Sequence, residues 1–149
     1  MINDNIKATG ELTVVLRDEN GNIKEERKIP NLVVTVGKNF IASRMTSASA
    51  AVMSHMGVGS TNTAPSASDT ALAAALGTRA ALTTAGGTAN ANVVTFNATF
   101  AQGVGTGAIV EAGIFNASTA GTMLARTIFS VVNKDAADTL SVSWALTIS

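Results

Sequence analysis

The sequence predicts a mainly β fold: a single antiparallel β-sandwich, or barrel-like, domain with an N-terminal hairpin and one or two short helices. Several segments alternate apolar and polar residues with the two-residue period of a strand, and glycine-rich turns separate them at short intervals. The chain has 149 residues, enough for one domain with a buried core. We therefore treat residues 1–149 as one domain.

The charged N-terminal hairpin is predicted over residues 8–30. Its first strand, ELTVVLR, alternates apolar and polar side chains as a half-buried strand does. The dipeptide Asn20–Gly21 is a strong turn signal because both residues tolerate positive φ. The return strand, IKEERKI, is highly charged, which suits an exposed edge of a sheet, and we expect Pro30 to end it.

A helix is predicted in the second half of NLVVTVGKNFIASRM, after a short β-branched strand. Its apolar residues recur at helical spacing and indicate about three turns; they are Phe40, Ile41, Met45 and Ala48. A second short helix is predicted for DTALAAAL, which Ser68 or Asp69 would cap and Gly77 would close.

The rest of the chain is predicted to form strands joined by glycine turns. The strand segments are VMSHMGVGS, TRAALTT, NVVTFNATF, AIVEAGIFNA, TMLARTIFSVVN and TLSVSWALTI. TMLARTIFSVVN is apolar on both faces, so we expect it to be central in the sheet. The inward-facing positions of two alternating strands give the predicted core, which consists of Val94, Phe96, Leu140, Val142, Trp144 and Leu146.

Composition argues against several classes of partner. The net charge is zero, so we expect neither a nucleic-acid nor a membrane partner. The absence of cysteine excludes disulfides and thiolate metal sites. Beyond Arg44 there are only three Lys/Arg and four Asp/Glu. Either a partner or further copies of the protein cover this charge-poor part, or Thr, Ser and Asn solvate it.

The segment FAQGVGTGAIVEAG contains the spacing of a dinucleotide-binding loop at Gly103, Gly105 and Ala108. Such a loop needs a helix after it and an acidic residue about 20 positions further on. The following segment is predicted to be a strand, and there is no acid near Thr127. We therefore interpret the glycines as a turn between strands and expect no cofactor.

Few residues are candidates for chemistry. His55 is the only histidine, and no nucleophile or carboxylate can be assigned to it, so a structural or interface role is expected. The scarcity of ligand residues gives no reason to expect a metal site. Glu111 and Arg126 are isolated charges on two segments that could pair around a turn at 118–121. They are predicted to form a structural salt bridge, with a contact between subunits as the alternative.

Four segments resemble a family of small virion proteins of tailed bacteriophages: NLVVTVGKNFIASRM, MSHMGVGSTNTAPSASDTAL, EAGIFNASTAGTMLARTIFSVVNK and DTLSVSWALTIS. The resemblance covers about residues 8–149. Members of the family are head-decoration, tail or fibre-associated structural proteins. The resemblance implies a virion component without catalytic residues. Assembly in the host bacterial cytoplasm is expected, in keeping with an N-terminus that does not resemble a signal peptide.

Two virion roles are compatible with these observations. The first is a capsid decoration, or cement, protein that binds the outer face of the major capsid protein lattice as a homo-oligomer, possibly a trimer. If it trimerises, the expected interface between copies is a flat surface of apolar and small residues formed by residues 78–117. The alternative is a tail, collar or fibre-associated protein that contacts the tail machinery or the host surface. An enzyme is not expected, because no convergent catalytic groups are found. A carbohydrate-binding module would need exposed aromatic residues, whereas Trp144 is expected in the core.

Overall fold

The computed structural model describes residues 5–46 and 50–149, and its fold is mainly β, as predicted. Nine antiparallel strands form one sheet that curls into a half-barrel, in the order β4-β3-β7-β8-β2-β1-β9-β6-β5. The elements in chain order are β1 (Ala8–Arg17), β2 (Ile23–Val33), α1 (Thr35–Ser43), β3 (His55–Gly59), β4 (Ala80–Ala81), β5 (Thr88–Asn90), β6 (Val93–Phe100), β7 (Gly107–Phe115), β8 (Met123–Lys134) and β9 (Thr139–Ile148).

The N-terminal hairpin is confirmed. β1 pairs with β2 on one side and with β9 on the other, so that Leu12 lies opposite Trp144. The turn is closed by a side chain, since Oδ1 of Asp18 accepts hydrogen bonds from the backbone N–H groups of Asn20 and Asn22, both at 2.9 Å. The turn signal at Asn20–Gly21 therefore identified the correct position.

Pro30 does not end β2, contrary to the expectation. The strand continues to Val33, and Pro30 lies opposite Glu11 within it. A proline has no N–H to donate, but β2 is hydrogen-bonded to β8 only at its last two residues. Pro30 therefore occupies an edge position, where a missing donor costs little. The charged first part of β2 is exposed along the same free edge, as its composition predicted.

The helix predicted for DTALAAAL is wrong. Residues 69–76 are not helical, because their backbone groups bind other parts of the protein. The Ala74 carbonyl accepts a hydrogen bond from the Ser60 N–H at 2.9 Å, and the Leu76 N–H donates to the Val58 carbonyl at 2.8 Å. Tertiary hydrogen bonds thus override the local helix propensity of the alanines.

The first predicted helix is present as α1 but is shorter and lies earlier in the chain: it begins at Thr35 and ends at Ser43, so Met45 follows it in a turn, while Ala48 lies outside the described residues. α1 approaches β8 very closely at Gly37, which is buried. A Cβ atom built at this position would overlap the backbone carbonyl of Leu124. The absence of a side chain at Gly37 therefore sets the distance between the helix and the sheet.

The core lies inside the curl of the sheet. A bridge between Leu82, which follows β4, and Ala98 on β6 brings the two ends of the strand order together. Of the six predicted core residues, five are buried and Val94 is partly buried against them. The buried five are Phe96, Leu140, Val142, Trp144 and Leu146. β8 is an interior strand, as its apolar pattern indicated.

The expectation that residues 78–117 form one flat surface is wrong. β6 and β7 lie in different parts of the strand order, separated by four other strands. The last five residues of β7, from Glu111 to Phe115, are all buried. The physical reason is that residues 60–79 cross over β7 and cover it, so this part of the expected interface is inside the protein.

We predict that Gly37→Ala destabilises the protein by about 1–3 kcal/mol, because the added methyl group cannot fit against the Leu124 carbonyl. An alanine in place of glycine at an unobstructed helix position would instead stabilise by about 0.5–1 kcal/mol. Urea unfolding measures the difference, with Asn39→Ala, an exposed neighbour on α1, as the control. A stabilised Gly37→Ala variant would contradict the close helix–sheet contact.

Candidate functional site

The β7–β8 hairpin places two opposite charges inside the protein. Glu111 is 0% exposed and Arg126 is 1% exposed. Nη2 of Arg126 donates to Oε2 of Glu111 at 2.8 Å, and Nε donates to the same oxygen at 3.0 Å. Arg126 is paired with Gly113 in the ladder, two residues from Glu111 on the same face of β7, so the side chains meet diagonally across the strands.

Arg126 also binds the segment that crosses over β7. Nη1 donates to Oδ2 of Asp69 at 3.0 Å, and Nη2 donates to the carbonyl of Thr63 at 2.9 Å. Glu111 accepts hydrogen bonds from the backbone N–H groups of Ala73 and Ala74, at 3.2 and 2.8 Å. The ion cluster of buried Glu111, buried Arg126 and partly exposed Asp69 therefore ties residues 60–79 to the sheet.

Gly59, at the end of β3, completes the surroundings of this cluster. It lies opposite Glu111 in the β3–β7 ladder. A Cβ atom at Gly59 would overlap the Glu111 carboxylate and crowd the carbonyl oxygen of Ala74. Because Gly59 of the MGVGS motif has no side chain, the Glu111 carboxylate and the crossing segment can both approach β3 at this point.

The hydrogen bonds of the ion cluster connect parts of the fold to one another. Both oxygens of Glu111 and all three guanidinium nitrogens of Arg126 are hydrogen-bonded within the protein. Oδ2 of Asp69 additionally accepts the Ser66 N–H at 2.8 Å. The charges of Glu111 and Arg126, buried and hydrogen-bonded in this way, hold segments together. Sequence reasoning named Glu111 and Arg126 but missed Asp69, which was an equally isolated acid in a charge-poor tract.

A second charged cluster lies at the turn between β8 and β9. Nζ of Lys24 donates to Oδ2 of Asp138 at 2.7 Å, and Asp138 also accepts the Asp135 N–H at 2.9 Å. These hydrogen bonds lower the pKa of Asp138, and the bond from Lys24 has the larger effect. The hydrogen bond to Asp138 in turn raises the pKa of Lys24. Nearby Lys134 is buried, which lowers its pKa, and its ammonium donates to the Ala101 carbonyl at 3.0 Å.

His55 lies on β3 with its Nδ1 atom 2.8 Å from Oγ of Ser54. Within residues 5–46 and 50–149, no carboxylate is hydrogen-bonded to this imidazole. Arg79 lies over the ring of Phe115, with 3.4 Å between the guanidinium carbon and the ring centroid. Its Nη1 atom donates to the carbonyls of Ala117 and Ala120, and burial lowers the pKa of Arg79. Ser54 and His55 thus form a hydroxyl–imidazole pair that lacks, among the described residues, the carboxylate that orients the imidazole in a catalytic triad.

The glycine-rich segment is a turn between β6 and β7. Gly103 and Gly105 have positive φ angles of 78° and 65°, and the chain continues directly into the strand β7 at Gly107. The Gly103 N–H donates to the Ala136 carbonyl at 2.9 Å. A dinucleotide-binding loop requires a helix at this point, and a strand is found in its place.

Two apolar hollows flank α1, one on each side. The larger measures about 650 Å³ and lies between α1 and the strand ends at Ala8 and Ile148. The smaller measures about 260 Å³ and lies between α1 and the sheet near Phe96. Ile41 and Ile148 line both hollows. Neither hollow was predicted from the sequence, because each is lined by residues that are far apart in the chain.

No group of three or more His, Cys, Asp or Glu side chains that could hold a metal ion occurs in the part of the chain that the structure describes. Among the same residues, no helix is both long enough and apolar enough to cross a membrane. No protein-family model, no curated protein and no solved structure matches the chain.

We predict that Glu111→Gln destabilises the protein by about 3–5 kcal/mol, because it leaves the buried Arg126 guanidinium without its main counter-charge. Urea unfolding measures this loss. The matched control is Glu26→Gln, which makes the same chemical change on the exposed part of β2 and should cost less than about 0.5 kcal/mol. Equal effects of the two substitutions would contradict a structural role for the cluster.

We also predict a pH dependence from Asp138. Its folded-state pKa is depressed, so the stability it contributes is present above its unfolded pKa of about 3.9 and is lost as the pH falls through the folded value. Asp138→Asn should therefore be less stable than the wild type near neutral pH, and the difference should shrink in acid. Urea unfolding from about pH 6 to about pH 2 tests this. A difference that stays constant with pH would contradict it.

Proposed function

We propose that this protein is a non-catalytic structural component of a tailed-bacteriophage virion, and specifically a capsid decoration protein. It would bind the outer face of the major capsid protein lattice and stabilise the head. The protein would associate with copies of itself, and nucleic acid would not be a partner. The virion setting comes from the resemblance of four sequence segments to small virion proteins, and the fold and surface are compatible with it.

One observation supports the structural role. After Arg44, almost every charged side chain is buried or hydrogen-bonded to another part of the protein. There are seven such charges, and only the Asp135 side chain, which is 79% exposed and has its Oδ2 atom 3.4 Å from Nζ of Lys24, lies largely in solvent. The other six are buried or held by hydrogen bonds within the chain; they are Asp69, Arg79, Glu111, Arg126, Lys134 and Asp138. The outer surface of this part is therefore almost uncharged.

A surface of this kind suits lasting contact with other proteins. Charged groups are depleted in the cores of protein interfaces, because each one must be desolvated when the partner binds. On a capsid lattice, many modest contacts add together, so that a small protein can reinforce a large shell. The same surface would serve a tail, collar or fibre-associated protein, which is the second candidate.

The segments that carry the resemblance also meet in space. MSHMGVGSTNTAPSASDTAL contributes Gly59 and Asp69, and the EAGIFN and MLART motifs contribute Glu111 and Arg126. All four residues belong to the ion cluster or contact it. The resemblance therefore concerns the framework of the fold, which supports the proposal of a shared structural role.

The decisive experiment is immunogold electron microscopy of virions from the phage whose genome carries this sequence. We expect label distributed regularly over the head, and none on particles produced without the protein. Heads that carry the protein should then remain intact at higher temperature than heads that lack it. Label confined to the tail or to one vertex would overturn the decoration role in favour of the second candidate. A complete absence of label would overturn both virion roles.

A further inference from the structure

The larger apolar hollow has the features of a protein-docking groove. Its apolar lining consists of Ile6, Ala8, Ile41, Ala42, Met45 and Ile148. Two of these side chains are unusually open to solvent for their type, Ile6 at 84% exposed and Met45 at 86%. Exposed apolar side chains gathered in one concave surface mark interaction sites in soluble proteins. We call this surface the apolar groove.

The charged side chains that line the apolar groove are all basic. Lys7 and Lys38 line it, and Arg44 lines the neighbouring hollow on the other side of α1. No acidic residue lines either hollow within the described ranges. The groove therefore offers an apolar floor with a positive rim, which favours an occupant that combines an apolar side chain with carboxylates.

The opposite end of the molecule carries that combination. The hairpin tip, residues 18–23, joins β1 to β2 and ends in Ile23, which is 56% exposed. Glu19 is exposed on the same turn. The side chain of Asp135 is 79% exposed on the adjacent β8–β9 turn, with its oxygen Oδ2 3.4 Å from the Nζ of Lys24. This end therefore combines an exposed isoleucine with exposed carboxylates; the neighbouring Lys24 is paired with Asp135 and Asp138.

The hairpin tip cannot reach the groove of its own chain. β1 runs from Ala8, beside the groove, to Arg17, beside the tip, and its ten residues span about 30 Å. The two complementary surfaces can meet only between different copies. A contact of this kind is heterologous, so repeated association gives a ring if the rotation closes and an open chain if it does not.

We propose that the hairpin tip of one copy binds the apolar groove of the next copy, with Ile23 against the apolar floor and Glu19 near Lys38. The inference rests on the self-association that is part of the proposed function, and it assigns the surfaces that associate. The inference does not depend on whether the protein lies on the head or the tail of the virion. The electrostatic part of the contact is screened by salt, so the association should weaken at high sodium chloride concentration.

Sedimentation velocity of the purified full chain tests the contact. We expect larger species to appear as the protein concentration rises. Glu19→Lys or Lys38→Glu alone should weaken the association by at least about tenfold, because each places like charges together. The matched controls are Glu26→Lys and Lys28→Glu, which make the same charge reversals on the exposed face of β2 and should leave the association unchanged. All four positions are exposed, so circular dichroism should show the same fold for each variant.

Mixing the two defective variants gives the sharpest result. A Glu19→Lys chain carries positive charge both at position 19 and at Lys38, and a Lys38→Glu chain carries negative charge both at position 38 and at Glu19. Each tip then finds a complementary groove only on the other variant, so the mixture should associate more tightly than either variant does alone. The double variant Glu19→Lys with Lys38→Glu should also associate with itself.

Three outcomes would overturn the proposed contact. They are a wild-type protein that stays monomeric up to about 1 mM, single reversals that behave like their controls, and a mixture that fails to recover association. These outcomes are separate from the microscopy. A protein that labels phage heads but is monomeric in solution would overturn the tip–groove contact and leave the virion proposal standing. A protein that associates in solution but does not label virions would overturn the virion proposal and leave the tip–groove contact standing.

Discussion

The buried guanidinium of Arg126 is the constraint on which much of this structure depends. Arginine does not lose its charge under ordinary conditions, so burying it requires acceptors for its N–H groups on all sides. β7 supplies only Glu111, and the remaining acceptors, Asp69 and the Thr63 carbonyl, come from the segment that crosses over the sheet. The path of residues 60–79 follows from this requirement.

That path has further consequences for the neighbouring strands. The crossing segment donates two backbone N–H groups to Glu111, so the carboxylate has hydrogen-bond donors on both sides. It also covers the outer face of β7 and leaves no room for a side chain at Gly59. A single buried cation thus accounts for a buried strand, an obligatory glycine and the irregular conformation of an alanine-rich segment.

Much of the sheet could be predicted from the sequence, because the alternation of apolar residues reports directly on the two faces of a strand. β9 and the N-terminal turn are examples, and the meeting of Glu111 with Arg126 follows from a hairpin around 118–121. Contacts between residues distant in sequence could not be predicted. DTALAAAL has the composition of a helix, yet hydrogen bonds to β3 and Glu111 decide its conformation. The apolar groove likewise joins residues as far apart as Ile6 and Ile148.

The two short strands beside β6 have a consequence for how the protein behaves when it is crowded. β5 pairs with the first part of β6, and beyond it Leu82 bridges Ala98 while the Thr83 N–H donates to the Asn97 carbonyl. Together these pieces occupy the hydrogen-bonding edge that an incoming strand of another molecule would need. The free edge of β2 is protected differently, by its charged side chains. A protein with a net charge of zero has little electrostatic repulsion to keep its copies apart, and occupied or charged edges are then its main defence against amyloid-like strand addition.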